Sequence, residues 1–203
     1  MSELRAVALI CSLKPSPAPS STELLASQVL DQLAGHGVGV APPIRLVDYD
    51  VKPGVDADMG DGDQWPEVRQ AIRDADILVF ATPTWLGHMS SVAQRALERL
   101  DAELSDTDAD GRPAMLGKVA VTAVVGNEDG AHKIIADVFQ GLNDIGFTIA
   151  AQSGTYWNGE AMQGTDYKDL DGPPEPVAVT TANAARNATH LATVLNSRQY
   201  PPY

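Results

Sequence analysis

Short unbroken apolar runs alternate along this chain with longer stretches in which apolar residues recur every three or four positions. Runs of the first kind read as strands buried on both faces, and stretches of the second kind read as helices with one apolar stripe. The pattern predicts strands near Ala6–Cys11, Ile44–Asp48, Ile77–Ala81, Val119–Val125 and Phe147–Ala151. Helices are predicted near Thr22–Ala34, Trp65–Ala75, Ser91–Glu103, Ala131–Ile145 and Val177–Leu195. The stripe of the third is Val92, Ala96, Leu97 and Leu100; that of the fourth is Ile134, Ile135, Val138, Leu142 and Ile145.

Strict alternation of five strands with five helices predicts an α/β fold, a doubly wound five-stranded parallel sheet of flavodoxin-like order 2-1-3-4-5. One domain over residues 1–203 is expected, since no linker divides the chain. Ligands of such sheets sit beyond the carboxyl ends of the strands, where the strand order reverses. The loops after strands one, three and four therefore decide the chemistry.

The first of these runs Ser12-Leu13-Lys14, passes Pro15, Pro17 and Pro19, and reaches Ser20-Ser21-Thr22-Glu23, which fits a capping box at a helix start. Unpaired N–H groups and the positive dipole end, ringed by hydroxyls, suit a terminal phosphate monoester. The same residues could equally cap the helix and bind nothing. After strand three, Thr82–Ser91 sets a Pro and a Gly around Trp85; after strand four, Gly126 and Gly130 flank Asn127-Glu128-Asp129. Glycines there allow backbone to approach a flat ligand, and peptide N–H groups can bond its polar edge. A phosphorylated planar heterocycle is implied, and flavin mononucleotide (FMN) fits.

Charge and composition narrow the partners. A net charge of −13 argues against nucleic acid and anionic membrane. No apolar run approaches a membrane span, and neither a secretory leader nor a pair of cysteines is present, so a cytoplasmic protein without disulfides is expected. Cys11, at the end of an apolar run, reads as a small buried residue. Asp106–Gly111 matches the first half of a calcium loop, but Gly117 stands at the position of the bidentate Glu; Asp56-Ala57-Asp58 has Asp61 where the turn glycine belongs. His88 and His132 lie on neighbouring loops without a third ligand nearby, so no metal site is expected. Trp157 could wall the ligand, meet another subunit or pack in the core, and the tail could fray as a free terminus or dock Tyr200 and Tyr203 on a partner.

Three motifs, Ser12-Leu13-Lys14 with Ser20-Ser21-Thr22, Pro83-Thr84-Trp85-Leu86-Gly87, and Gly126-Asn127-Glu128-Asp129-Gly130, stand in an order that resembles the NADPH-dependent FMN reductase family. The resemblance covers nearly the whole chain. It implies that Ser12, Lys14, Ser20, Ser21 and Thr22 hold the FMN phosphate, and that Pro83, Thr84, Trp85, Leu86 and Gly87 lie along the ring. It assigns the ring's other side to Gly126, Asn127, Glu128, Asp129 and Gly130. By the same resemblance the protein is an oxidoreductase with NAD(P)H as co-substrate and a small-molecule electron acceptor such as free flavin or a quinone. A homodimer or homotetramer is implied. Hydride transfer requires no acid–base side chain, so no catalytic residue is named. An electron-transfer flavodoxin and a non-catalytic FMN-binding protein are the competing readings.

Overall fold

The computed structural model describes residues 3–161 and 163–201. β1 (Arg5–Ile10) leads to α1 (Ser21–Gly35), and two short edge strands follow, β2 (Gly39–Val40) and β3 (Ile44–Arg45). Then come α2 (Trp65–Arg73), β4 (Ile77–Trp85), β5 (His88–Met89), α3 (Ser91–Leu100), β6 (Val119–Gly126), α4 (Ala131–Asp144), β7 (Thr148–Asn158) and α5 (Glu175–Ser197). The sheet order is β2-β1-β4-β6-β7, all parallel, with β3 beside the far end of β1 and β5 folded back on β4. Taking β2 and β3 as one interrupted strand, this is the predicted 2-1-3-4-5 order.

Three strand boundaries depart from the sequence reading. The second strand, expected over Ile44–Asp48, is split: β2 pairs Arg5 with Gly39, β3 pairs Leu9 with Ile44, and Ala41-Pro42-Pro43 lies between. Proline has no N–H to give the ladder, so pairing lapses there, and Leu46–Asp48 winds into a 3₁₀ turn. The third strand does not stop at Ala81. It continues to Trp85, pairing Thr82 with Val124 and Pro83 with Val125, then turns through Leu86-Gly87 into β5. The fifth, expected over Phe147–Ala151, runs to Asn158 after a bulge at Gln152 (φ 57°); Ala120 pairs with Ile149, but Thr122 pairs with Gly154.

Alternate residues of β1 feed opposite cores. Ala6, Ala8 and Ile10 pack under α1 and α5 with Leu25, Val29, Leu33 and Ala188, whereas Val7, Leu9 and Cys11 pack under α2, α3 and α4 with Phe80, Ile134 and Val138. Every one of these side chains is buried, and truncating a large one such as Leu33 or Phe80 to Ala should cost about 2–5 kcal/mol. Burial also pushes the Cys11 thiol far above its ordinary pKa, which leaves it unreactive.

A buried ion pair fixes the long loop before α2. Arg99 on α3 donates to Asp63 at 2.7 Å and 3.1 Å and to the carbonyls of Lys52 and Asp56, with its guanidinium 5.5 Å from the Trp65 ring. The acids of the calcium-like loop are likewise held by arginines, Asp106 by Arg69 and Arg73, Asp108 by Arg112. The tail folds onto its own chain, Tyr200 Oη lying 3.0 Å from Thr148 Oγ1; Tyr203 is outside the described residues.

Candidate functional site

At the carboxyl end of the sheet, the loop after β1 and the start of α1 form one wall of an open cleft with a cavity volume of about 220 Å³. Ser20 caps α1, its Oγ accepting the Glu23 N–H at 3.3 Å. Helix geometry leaves the Ser21 and Thr22 amides without intrahelical acceptors. The capping box is completed on one side only, because the Glu23 carboxylate turns to Arg45. Buried Arg45 also donates to the carbonyls of Ala18 at 2.8 Å and Lys14 at 3.2 Å, and Asp48 accepts the Ser16 N–H at 2.8 Å. The Pro-rich loop is thus tied down from beneath, its partners coming from β3 and the 3₁₀ turn that follows it. Ser12, Ser20 and Thr22 are nearly buried and all face the cleft together with Ser21 and Lys14.

The opposite wall comes from β4 and β6. Pro83, Thr84 and Trp85 line the cleft against Val125, Gly126, Asn127 and Glu128. Thr84 is buried, and its Oγ1 has no partner within the protein. Leu86, Gly87, Asp129 and Gly130 do not line the cleft; Leu86, Gly87 and Gly130 shape its walls from behind. Glu128 accepts the Leu86 N–H at 2.8 Å, and Leu86 (φ 51°) and Gly87 (φ 73°) make the tight turn into β5. The glycines also serve loop packing. A Cβ at 126 would stand 2.7 Å from the Thr84 Cβ, and one at 130 would stand 2.8 Å from the Gly87 Cα. Their bareness lets the two loops pack on each other.

Ser90 fastens this floor: its Oγ donates to the Cys11 carbonyl at 2.7 Å and caps α3 by accepting the Ala93 N–H at 3.1 Å. His88 bonds the Leu86 carbonyl at 2.7 Å and His132 meets the edge of Tyr156, so each histidine has a structural contact.

Three lining residues, Leu13, Val125 and Asp166, escaped the site reading, and Trp157 joins them in the wall as one of its expected alternatives. Trp157 was expected to follow the last strand but lies on β7, stacked obliquely on Tyr167 at 5.5 Å. Asp166 accepts from the Asn127 amide at 3.0 Å and pairs with Lys168 at 3.1 Å. The ion pair with Lys168, then the Asn127 bond, holds its carboxyl below the usual carboxylate range. Ser21 accepts the Lys168 N–H at 3.2 Å, so the segment around Asp166 straps across both walls. No local pattern in the sequence marks that strap as part of a site.

The family model for NADPH-dependent FMN reductases matches residues 4–163. The chain belongs to this family. As a member of an FMN-dependent oxidoreductase family it carries the expected furniture for that cofactor: buried hydroxyls at a helix start, and the unpartnered Thr84 hydroxyl beside the cleft. It is 30% identical over 211 residues to 8-demethyl-8-aminoriboflavin-5′-phosphate synthase of Streptomyces davaonensis, a match covering 97% of this chain and 80% of that one. The crystal structure of RosB with bound 8-demethyl-8-formylriboflavin-5′-phosphate superposes with a TM-score of 0.88 at 29% identity, covering 97% of this FMN reductase relative and 82% of RosB. A protein named divalent metal cation transporter MntH from Mycobacterium bovis is 36% identical over 201 residues; the match takes in 96% of this chain but spans only 29% of that protein's length. Among the described residues, no helix here is long and apolar enough to cross a membrane.

Proposed function

We propose that the protein binds FMN in this cleft, takes electrons from NAD(P)H and passes them to a small acceptor such as free flavin or a quinone. The observation that carries the reading is the meeting, in one cleft, of a hydroxyl-lined helix start with two shaped ring loops. Ser12, Ser20, Ser21 and Thr22 would hold the phosphate, aided by the helix dipole and by Lys14. Thr84, Trp85, Gly126, Asn127 and Glu128 would border the ring, with Trp157 beside it. Bound FMN supplies hydride acceptance and release. The protein's share is to fix the ring's position and leave one face reachable for the second substrate. The test is anaerobic mixing of the FMN-loaded protein with NADPH and with NADH: rapid bleaching supports a reductase, and sluggish reduction by both points to an electron carrier or a non-catalytic binder.

A second reading, with FMN as the molecule transformed, is favoured by the similarity, over 97% of this chain, to a synthase of a flavin phosphate and to RosB with a bound flavin-phosphate intermediate. Mass spectrometry of the flavin recovered after turnover separates the two, since reduction and reoxidation leave its mass unchanged.

The exposed apolar side chains Leu13, Trp85 and Leu86 around the cleft support a homodimer or homotetramer that covers the ring. Light scattering giving 21.5 kDa at micromolar concentration would reject it.

A further inference from the structure

The strap over residues 166–169 lies beyond the stretch that matches the family, which ends at residue 163. It touches both ends of the cleft. Asp166 binds Asn127 of the ring wall, and two residues later the Lys168 N–H binds Ser21 of the phosphate wall. Tyr167 between them is buried and donates to Gln28 of α1 at 2.6 Å, which anchors the strap from below. Asp166 therefore lines the cleft beside Asn127, two residues before the Lys168 N–H that binds the phosphate wall.

A carboxylate is a poor neighbour for a phosphate. Like charges a few ångströms apart repel by several kcal/mol at about the effective dielectric of a protein surface. It is a good neighbour for hydroxyl groups, which donate charge-assisted hydrogen bonds to it. Between the ring and the phosphate of FMN runs the ribityl chain, a neutral triol. Asp166 remains ionised, and Lys168 and Lys14 offset its charge toward the phosphate end.

We propose that Asp166 recognises the ribityl chain, its carboxylate accepting hydrogen bonds from the triol of FMN bound in the cleft. The proposal rests on the reading that FMN occupies the cleft. It makes the strap a specificity element: the hydroxyl wall selects for a phosphate, and Asp166 selects for the polyol that joins it to the ring.

A double-mutant cycle tests this with binding alone. Dissociation constants are measured by flavin fluorescence quenching for wild type and Asp166→Ala, each against FMN and against the analogue whose ring carries a phosphorylated unbranched pentyl chain without hydroxyls. The expected result is that Asp166→Ala weakens FMN roughly tenfold, the scale of hydrogen bonds to a charged group. The analogue, already weak with wild type, should lose nothing further. Asp166→Asn keeps an acceptor for Asn127 and serves if the Ala variant does not fold; it should lose FMN affinity severalfold and again leave the analogue unaffected. Equal losses for both ligands would mean that Asp166 only holds the strap in place or bonds the ring, and would overturn the proposal. So would no loss for either. Failure of wild type to bind FMN at all would instead overturn the functional reading on which this one stands.

Discussion

Arg45 and Arg99 are both buried, each ties a loop down through two of its carbonyl oxygens, and each closes one ion pair. They differ in what surrounds the pair. Asp63, the partner of Arg99, is as fully buried as the arginine, and the Trp65 ring closes the site. Glu23, the partner of Arg45, keeps about a third of its side chain in solvent (34%), and Arg45 Nε has no partner. Water can replace part of the Arg45 pair and none of the Arg99 pair. The same device thus acts as a stability lock beneath the 52–63 loop and as a positioning clamp beneath the cleft.

Removing the lock should have the largest effect. Arg99→Met leaves Asp63 buried and unpaired, and the fold should lose about 3–5 kcal/mol in urea denaturation, while any folded fraction binds FMN as before. A loss below about 1 kcal/mol, the exposed-pair range, would erase the contrast between the two arginines. At the cleft itself, Ser20→Ala with Thr22→Ala should weaken FMN by about 1–3 kcal/mol by calorimetry, with little change for riboflavin, which has no phosphate. Loosening the clamp comes next: Arg45→Met should cost about tenfold in FMN affinity, about 1.4 kcal/mol, and less for riboflavin. A larger loss in stability than in affinity would make Arg45 a second lock.

The smallest effect is one of pH. Burial alone would raise the Asp63 pKa, but the Arg99 guanidinium and the N–H groups of Met59, Lys52 and Trp65 outweigh it and hold it well below the usual range. Its contribution is therefore complete above about pH 4, the ordinary Asp value, and is lost progressively as the pH falls below that. Melting temperature should decline on that acid limb, and Asp63→Asn, less stable throughout, should show a shallower decline.

Neither arginine was legible in the sequence. Arg45 reaches partners 22 to 31 positions away and Arg99 partners 36 to 47 away, and no local periodicity encodes such pairs. What was legible is what repeats locally: the apolar runs of β1, β4 and β6 and the stripes of α3 and α4. Two of the misread boundaries share a cause in proline, and the third, in β7, follows the bulge at Gln152. Thr82-Pro83 looks like punctuation, yet Pro83 sits where the ladder is ending, and Pro42-Pro43 interrupts a strand that looked intact downstream. The candidate site was legible because hydroxyls at a helix start carry a local signal, whereas Asp166 sits in a strap whose relevance appears only once Asn127 and Ser21 are seen to hold it.

The interlock of Gly126 with Thr84 and of Gly130 with Gly87 reaches beyond this one molecule. The two loops mesh closely, so a change in the shape of one must be met by a change in the other. A library randomised over 126–130 alone would select chiefly for fit to its neighbour, and flavin chemistry would be sampled second. Exchanging segments 82–90 and 126–130 together would keep the interlock intact, which makes the pair the unit in which this wall of the cleft can be re-engineered.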